Sequence, residues 1–357
     1  MSPAPARPDP GPRPGPALGA ADPERAAELL ERARGVRVLV VGDLMLDRYV
    51  SGRVERVSPE APVPVVRVEA ERWGVGGAGN VAANATALGA DCAVVGHVGA
   101  DAEGELLLEA LAARGVDTGG VVREGPRPTT VKTRVLAKHQ QIVRFDRESE
   151  EDARPPLAAA LVAAVAARAP GCDVLVVQDY DKGVLAPPVV AEILRRSSEM
   201  RVPCVVDPKR RRFFGYAGAT VFKPNERELA DALGEPVRAS DAAWMEAIRA
   251  RLGCANLLLT LGEQGMALQR ADGVLRGLPA AARAVYDVSG AGDTVTAAVA
   301  VALAAGATVD EAAQLANHAA ALEVAKPGVQ TVSAQEILDD LRARAGEAAP
   351  TAGPAHS

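Results

Sequence analysis

Short β-branched runs alternate with helix-forming stretches along most of this chain, and that alternation permits few architectures. The runs at 36–41, 93–98, 174–178, 204–207, 220–223 and 257–261 read as buried strands. Stretches at 80–88, 102–113, 157–167, 187–195, 226–233 and 242–251 carry helical spacing, and a small-residue helix is expected from about 291 to 305. Strand and helix in alternation imply an α/β fold with a mostly parallel central sheet and helices on both faces. A chain of 357 residues suffices for one large domain of this kind or two small ones. Apolar residues make up 48% and aromatics only 3%, which suits closely packed helices on a sheet better than an aromatic-rich sandwich.

Two regions break the alternation. Residues 47–70 and 121–146 alternate polar and apolar side chains at period two, with turn residues between, and read as exposed antiparallel strands. A small β-sheet projecting from the core in this way forms a natural lid, and its edges favour pairing into a homodimer. Residues 1–20 and about 345–357 are rich in Pro, Ala and Gly and read as disordered tails around one domain spanning 35–340. The net charge of −6, with mixed signs along the chain, argues against a nucleic-acid partner or a polybasic membrane patch. Cys92, Cys172, Cys204 and Cys254 lie far apart among apolar neighbours, as small core residues in a reducing compartment do. No apolar run is long enough to span a bilayer, and the first twenty residues lack a signal-peptide core, so a cytoplasmic protein is expected.

The strongest local signal is Asp287-Val288-Ser289-Gly290-Ala291-Gly292-Asp293-Thr294. A turn through Gly290, Ala291 and Gly292 into a helix leaves several N–H groups aimed at one spot, which makes an anion hole. Asp293 is placed to take the proton of a hydroxyl attacking a bound phosphoryl group, chemistry that needs positioning, charge neutralisation and a base. It serves equally as an ordinary acidic residue at a helix N-terminus. Gly74-Val75-Gly76-Gly77-Ala78-Gly79-Asn80 would let a ligand approach the backbone, with Asn80 offering donor and acceptor, although such turns are more often plain loops. In Lys223-Pro224-Asn225-Glu226-Arg227-Glu228, Asn225 and Glu228 are candidates to face the strand ends, Glu228 holding a hydrated Mg²⁺ through water. The alternative is a capping box between the same two residues. Thr260-Leu261-Gly262-Glu263-Gln264-Gly265 suits nucleotide contact or a simple turn. No GxxxxGK[ST] loop occurs, and the turn after the first strand lacks a dinucleotide fingerprint, which disfavours Walker-type NTPases and Rossmann dehydrogenases.

Taken in order, GGAGN near residue 77, NxxE at 225–228, TLGEQG at 260–265 and GAGD at 290–293 resemble the ribokinase-like (PfkB) sugar kinases over roughly 35–340. The segments around Val41–Tyr49, Arg56–Val65, Thr130–Val135, Gln140–Asp146, Asp179–Leu185 and Asp207–Lys209 look like the kinase part of the enzymes of ADP-heptose synthesis. The resemblance implies ATP-dependent phosphorylation of the 1-hydroxyl of D-glycero-D-manno-heptose 7-phosphate, stopping at the bisphosphate because no nucleotidyltransferase segment follows. It implies Asp293 as base and Gly290, Ala291 and Gly292 as anion hole. Asn225, Glu228, Lys209, Thr260, Gly262, Gly265 and Asn317 fall to the ATP and Mg²⁺ side. Asp47, Gly76, Gly77, Asn80 and Asp179 fall to the sugar side. Lys132, Arg134, Gln141 and Arg144 come from the lid, either to bind the 7-phosphate or as solvated charges on a ribbon. Asp287 and the loop near Gly328 are implied to hold a monovalent cation such as K⁺. Gly79, Asp181 and the run Arg210-Arg211-Arg212 depart from the family pattern, so a different acceptor (fructose, ribose or a nucleoside) and a silent binding relative stay as alternatives.

Overall fold

The computed structural model describes residues 16–137, 140–282 and 284–348. In chain order its first elements are α1 (Pro23–Arg32), β1 (Arg37–Gly42), β2 (Leu44–Val57), β3 (Pro64–Gly77), α2 (Ala78–Ala87), β4 (Asp91–Gly99) and α3 (Ala102–Ala112). Next come β5 (Asp117–Glu124), β6 (Thr130–Ala137), β7 (Gln140–Arg147), α4 (Pro155–Arg168), β8 (Val174–Gln178), α5 (Pro187–Met200) and β9 (Cys204–Asp207). Beyond them lie β10 (Val221–Phe222), α6 (Glu226–Leu233), α7 (Ala242–Leu252), β11 (Asn256–Thr260), β12 (Met266–Gln269) and β13 (Leu275–Leu278). Three helices follow: α8 (Ala291–Ala304), α9 (Val309–Glu323) and α10 (Ala334–Ala348).

Successive side chains of a strand point to opposite faces, and the buried strands here are apolar on both. Val38, Val40, Val94 and Val176 pack on one side against α1, α2, α8, α9 and α10. Leu39, Val41, Val95, Leu175 and Val177 pack on the other against α4, α5 and α7. The resulting sheet runs β13-β12-β11-β10-β9-β8-β1-β4-β5. Pairing is parallel from β5 across to β11, and antiparallel only at β11–β12 and β12–β13. This is the mostly parallel α/β architecture expected from the alternation. Truncating a fully buried side chain such as Leu39 costs about 2–5 kcal/mol in sites of this kind.

A second sheet of order β3-β2-β6-β7 forms the projecting lid. Three details differ from the sequence expectation. First, β2 and β6 pair in parallel, with antiparallel partners only outside them, so the lid is mixed. Second, β5, which the period-two pattern assigned to the lid, pairs with β4 as the edge of the main sheet. Third, the domain begins before residue 35: Leu29 and Leu30 of α1 are buried in the core, and Leu18 N donates to Gly277 O, so 16–20 are not a free tail. Residues 345–348 complete α10; the remainder of both expected tails, 1–15 and 349–357, lies outside the described residues. The four cysteines are buried and free. Among the described residues no helix is long and apolar enough to cross a membrane.

The strand order reverses at β1, whose neighbours are β8 and β4. Ligands of open α/β sheets bind beyond the carboxyl ends of the strands at such a point. Backbones approach closely there: a Cβ built on Gly42 would lie 2.0 Å from the Gln178 carbonyl oxygen. Gly42→Ala is therefore expected to force β1 and β8 apart and to lower unfolding free energy by about 2–3 kcal/mol, read from the midpoint of urea denaturation.

Candidate active site

Parallel strands deliver the residue after each of them to one edge of the sheet. Here that edge receives Asp43 after β1, Gln178 at the end of β8 with Asp179 and Tyr180 after it, Asp207 from β9, Lys223 after β10 and Thr260 from β11. The N-termini of α2 and α8 converge on the same edge, bringing Asn80 and Asp293. Asp43 holds the loop after β8 in place: its buried carboxylate accepts the N–H groups of Tyr180 (2.8 Å), Lys182 (3.0 Å) and Val184 (3.0 Å).

Asp293 sits in the first turn of α8, buried, at the centre of this group. Its Oδ1 accepts from Tyr180 Oη at 2.8 Å and Gln178 Nε2 at 2.9 Å, and its Oδ2 accepts from Asn80 Nδ2 at 2.9 Å. Burial pushes its pKa up to about 6, helped by Asp207 and opposed by the Asn80 and Tyr180 hydrogen bonds and the Lys223 charge. A carboxyl poised near neutrality and still ionised above that pH suits proton abstraction. A helix-capping role alone would not require burial among three side-chain donors.

Beside it lies the expected anion site. Gly290, the N-cap of α8, has φ +96°, a left-handed value open to glycine at no steric cost. The N–H groups that follow, in Ala291 and Gly292, begin the helix and carry its positive end. Lys223 reinforces them: a Cβ on Gly292 would stand 3.7 Å from its Nζ, and the ammonium is buried against Asp207 Oδ2 at 3.1 Å. Asp207 also accepts from Gln178 Nε2 (3.0 Å) and Thr296 Oγ1 (3.2 Å), so one hydrogen-bonded line joins Lys223, Asp207, Gln178 and Asp293.

The residues expected on the nucleotide side flank this centre. Asn225 and Glu228 form a complete capping box, with Glu228 N donating to Asn225 Oδ1 at 2.8 Å and Asn225 N to Glu228 Oε2 at 2.9 Å. The capping reading therefore holds, and it coexists with a second contact, since Glu228 Oε1 pairs with Lys209 Nζ. Thr260 is bridged to Asn225 as a neighbouring backbone, and Gly262 and Gly265 both adopt positive φ in the turn that follows. Asn317, half-buried on α9, donates to Pro279 O at 2.8 Å.

On the opposite side, Asp47 of β2 is buried and receives Arg134 Nη1 at 2.5 Å, and Gly76 packs against its Oδ2. Gly77 is the N-cap of α2, three residues before Asn80, whose side chain reaches Asp293. Lys132 lies 3.8 Å from both Asp146 and Glu148, and Arg144 binds Asp146 at 2.8 Å. These lid charges thus form one mixed cluster rather than separate solvated ions. Gln141 stands further along the ribbon, exposed and paired with Leu136. Asp179 is buried with both oxygens engaged, by Tyr216 Oη at 2.6 Å and Asp181 N at 2.8 Å, so it shapes the loop after β8.

Sequence reasoning passed over Asp43, Gln178, Tyr180, Asp207 and Lys223 as site residues. It also passed over Glu323, at the end of α9. Its carboxylate is fully buried behind Gly290, without a hydrogen-bond partner among the described residues. Burial, with Asp287 and Asp293 nearby, pushes Glu323 up to about 8. Asp287 itself accepts from Ser289 N at 2.9 Å. The available signals were polar residues at or just past the ends of the buried strands and a Glu within an otherwise apolar helix end.

The sequence and the fold have counterparts among known proteins. The profile of the pfkB family carbohydrate kinases matches residues 36–336. The Bifunctional protein HldE of Paramagnetospirillum magneticum is 46% identical over 314 residues, 87% of this chain and 64% of that protein. The protein of the same name from Azorhizobium caulinodans is 46% identical over 315 residues, 88% of this chain and 66% of its own length. The chain thus spans just under two thirds of these relatives. Among solved structures, an Arabidopsis thaliana ribokinase complexed with ribose and ATP superposes with a TM-score of 0.69 at 23% identity, covering 86% of this chain and 99% of that one. Escherichia coli phosphofructokinase-2 in complex with potassium gives 0.73 at 19% identity, covering 87% and 99%. At those identities the likeness is one of fold. The family match, by contrast, extends over most of the sequence and includes every strand end that builds the site: the chain belongs to the pfkB family of carbohydrate kinases.

Proposed function

We propose that the chain transfers the γ-phosphoryl group of ATP to the 1-hydroxyl of D-glycero-D-manno-heptose 7-phosphate, giving the 1,7-bisphosphate and ADP. The observation that carries this reading is the buried Asp293 carboxylate set beside a helix N-terminus and the buried Lys223 ammonium. Asp293 takes the proton of the acceptor hydroxyl as its oxygen bonds to the γ-phosphorus. The bond from that phosphorus to the β–γ bridging oxygen breaks, and ADP leaves with the electron pair. Lys223 and the N–H groups at Gly290–Gly292 stabilise the charge on the phosphoryl oxygens in transit.

The choice of sugar rests on the 46% identity to proteins named HldE and on the lid cations. Lys132, Arg134 and Arg144 converge on Asp47 and Asp146, where a substrate phosphate would exchange with the carboxylates. Glu228 already serves Asn225 and Lys209, which suits contact with Mg²⁺ through water rather than directly, the ion neutralising charge on the β- and γ-phosphates. The partnerless Glu323 oxygens beside Asp287 fit a monovalent cation such as K⁺. Exposed Val57, Val68, Val143 and Phe145 on the lid favour a homodimer formed through it.

The test is ADP release by purified protein with MgATP and, separately, heptose 7-phosphate, fructose 6-phosphate, fructose and ribose. The reading predicts kcat/KM for heptose 7-phosphate at least about 10²-fold above the others, the discrimination a site built to hydrogen-bond a group reaches or exceeds. Preference for an unphosphorylated sugar would remove the lid assignment and keep the base. ATP binding without turnover of any acceptor would favour a silent relative.

A further inference from the structure

We propose that Tyr180 is a positioning residue for phosphoryl transfer: it occupies Oδ1 of Asp293, so that Oδ2 alone accepts the substrate proton. The inference rests on the reading of Asp293 as the base. A carboxylate oxygen has two good acceptor directions. At Oδ1 both are filled, by the Tyr180 hydroxyl at 2.8 Å and Gln178 Nε2 at 2.9 Å. At Oδ2 only Asn80 Nδ2, at 2.9 Å, is present, and one direction stays open.

Tyr180 is suited to hold this arrangement. Its backbone N–H is fixed by Asp43 at 2.8 Å, and its hydroxyl bonds to Asp293. Lys209 Nζ lies 5.1 Å from the centre of its ring, and the same ammonium pairs with Glu228 on the expected nucleotide side. The phenol therefore stands between the base and the residues expected to receive ATP. A displaced nucleotide-side lysine would be felt at Asp293 through one rigid ring.

The chemistry follows from hydrogen-bond balance. The acceptor hydroxyl gives its proton to Oδ2 as its oxygen attacks the γ-phosphorus, and the bridging oxygen leaves with ADP. Throughout, the Tyr180 O–H remains a donor to Oδ1, stabilising the carboxylate before transfer and restraining the carboxylic acid after it. Removing that donor makes the carboxylate a stronger base that is protonated at higher pH. The other ionisable groups facing Asp293 are Asp207 from β9, Lys223 after β10, Lys209, and Glu323 from behind the Gly290 turn, which in turn has Asp287 beside it. None of these is altered by the substitution tested.

The experiment compares the native chain with Tyr180→Phe and with 3-fluorotyrosine placed at 180, a stronger donor of nearly the same size. Two readouts are taken: the pH dependence of kcat, and an infrared titration of the Asp293 carboxyl, assigned by difference from Asp293→Asn. Tyr180→Phe is expected to move the acid limb of kcat and the infrared midpoint up by about one pH unit, the worth of one hydrogen bond to a charged group. The KM for ATP should stay within about twofold. Fluorotyrosine should move both midpoints down. Unmoved midpoints in both variants, or a loss confined to KM, overturn the proposal. If Tyr180→Phe does not fold, the fluorotyrosine protein decides alone. The infrared midpoint needs no acceptor sugar, so its shift stands even if heptose 7-phosphate is not the substrate. Undiminished turnover by Asp293→Asn would instead remove the base reading beneath it.

Discussion

Asp293→Asn should lower kcat by about 10²–10⁴-fold, the range that a general base contributes, with ATP binding retained. The substitution keeps the size of the side chain and the helix start, so its effect separates proton transfer from helix capping. Stability supplies the control. Asp293 is raised from the ordinary value of 3.8 to about 6, so the stability it contributes is fully present below the ordinary value and lost as pH rises through about 6. Asp43, also raised to about 6 by burial and by Asp179, acts in the same direction and over the same window. Asn at 293 cannot ionise and escapes that loss, so at pH 8 the variant should melt no lower than the native chain. A residue kept only for capping would show the opposite: intact turnover and a lowered Tm.

The second large effect is expected at Lys223, where Lys223→Met removes the only ammonium buried beside the Gly290–Gly292 turn among the described residues. Loss of a preorganised charge of this kind costs about 10²–10³-fold in kcat. It also strips Asp207 of its cation, and breaking a buried pair from one side costs about 3–5 kcal/mol. Gln178 and Thr296 still donate to Asp207, which places the loss toward the lower end. The double variant Lys223→Met/Asp207→Asn removes the stranded charge and should recover most of the stability. It should recover none of the rate. Initial velocities and urea midpoints on the same preparations measure both. Recovery of rate together with stability would show that Lys223 acts only by keeping Asp207 folded in place.

What could be read from residues alone divides along a physical line. Features encoded in contiguous residues were legible: the Gly290–Asp293 turn, the Asn225–Glu228 pair, the buried strands and the amphipathic helices between them. Features created by topology were not. Gln178 and Tyr180 at the end of β8, Asp207 at the end of β9 and Lys223 just past β10 stand far apart in sequence, and only the parallel order β10-β9-β8 brings them within hydrogen-bonding distance. The capping box shows a second limit. Its two hydrogen bonds are present, yet the unused oxygen of Glu228 turns to Lys209, so one short motif serves both structure and site. The misplacement of β5 has a similar origin, because its half-exposed edge position carries the same alternation as a lid strand. The helices α1, α9 and α10 were passed over, although Asp22 caps the first and Thr308 begins a capping box at the second.

The account is tested most directly by following ³¹P and ¹H spectra of heptose 7-phosphate, MgATP and the native chain. It predicts a new phosphate signal coupled to the anomeric proton, an unchanged 7-phosphate signal, and one ADP per product formed. Release of orthophosphate without an anomeric phosphate, or a phosphate placed on any other carbon, would contradict it.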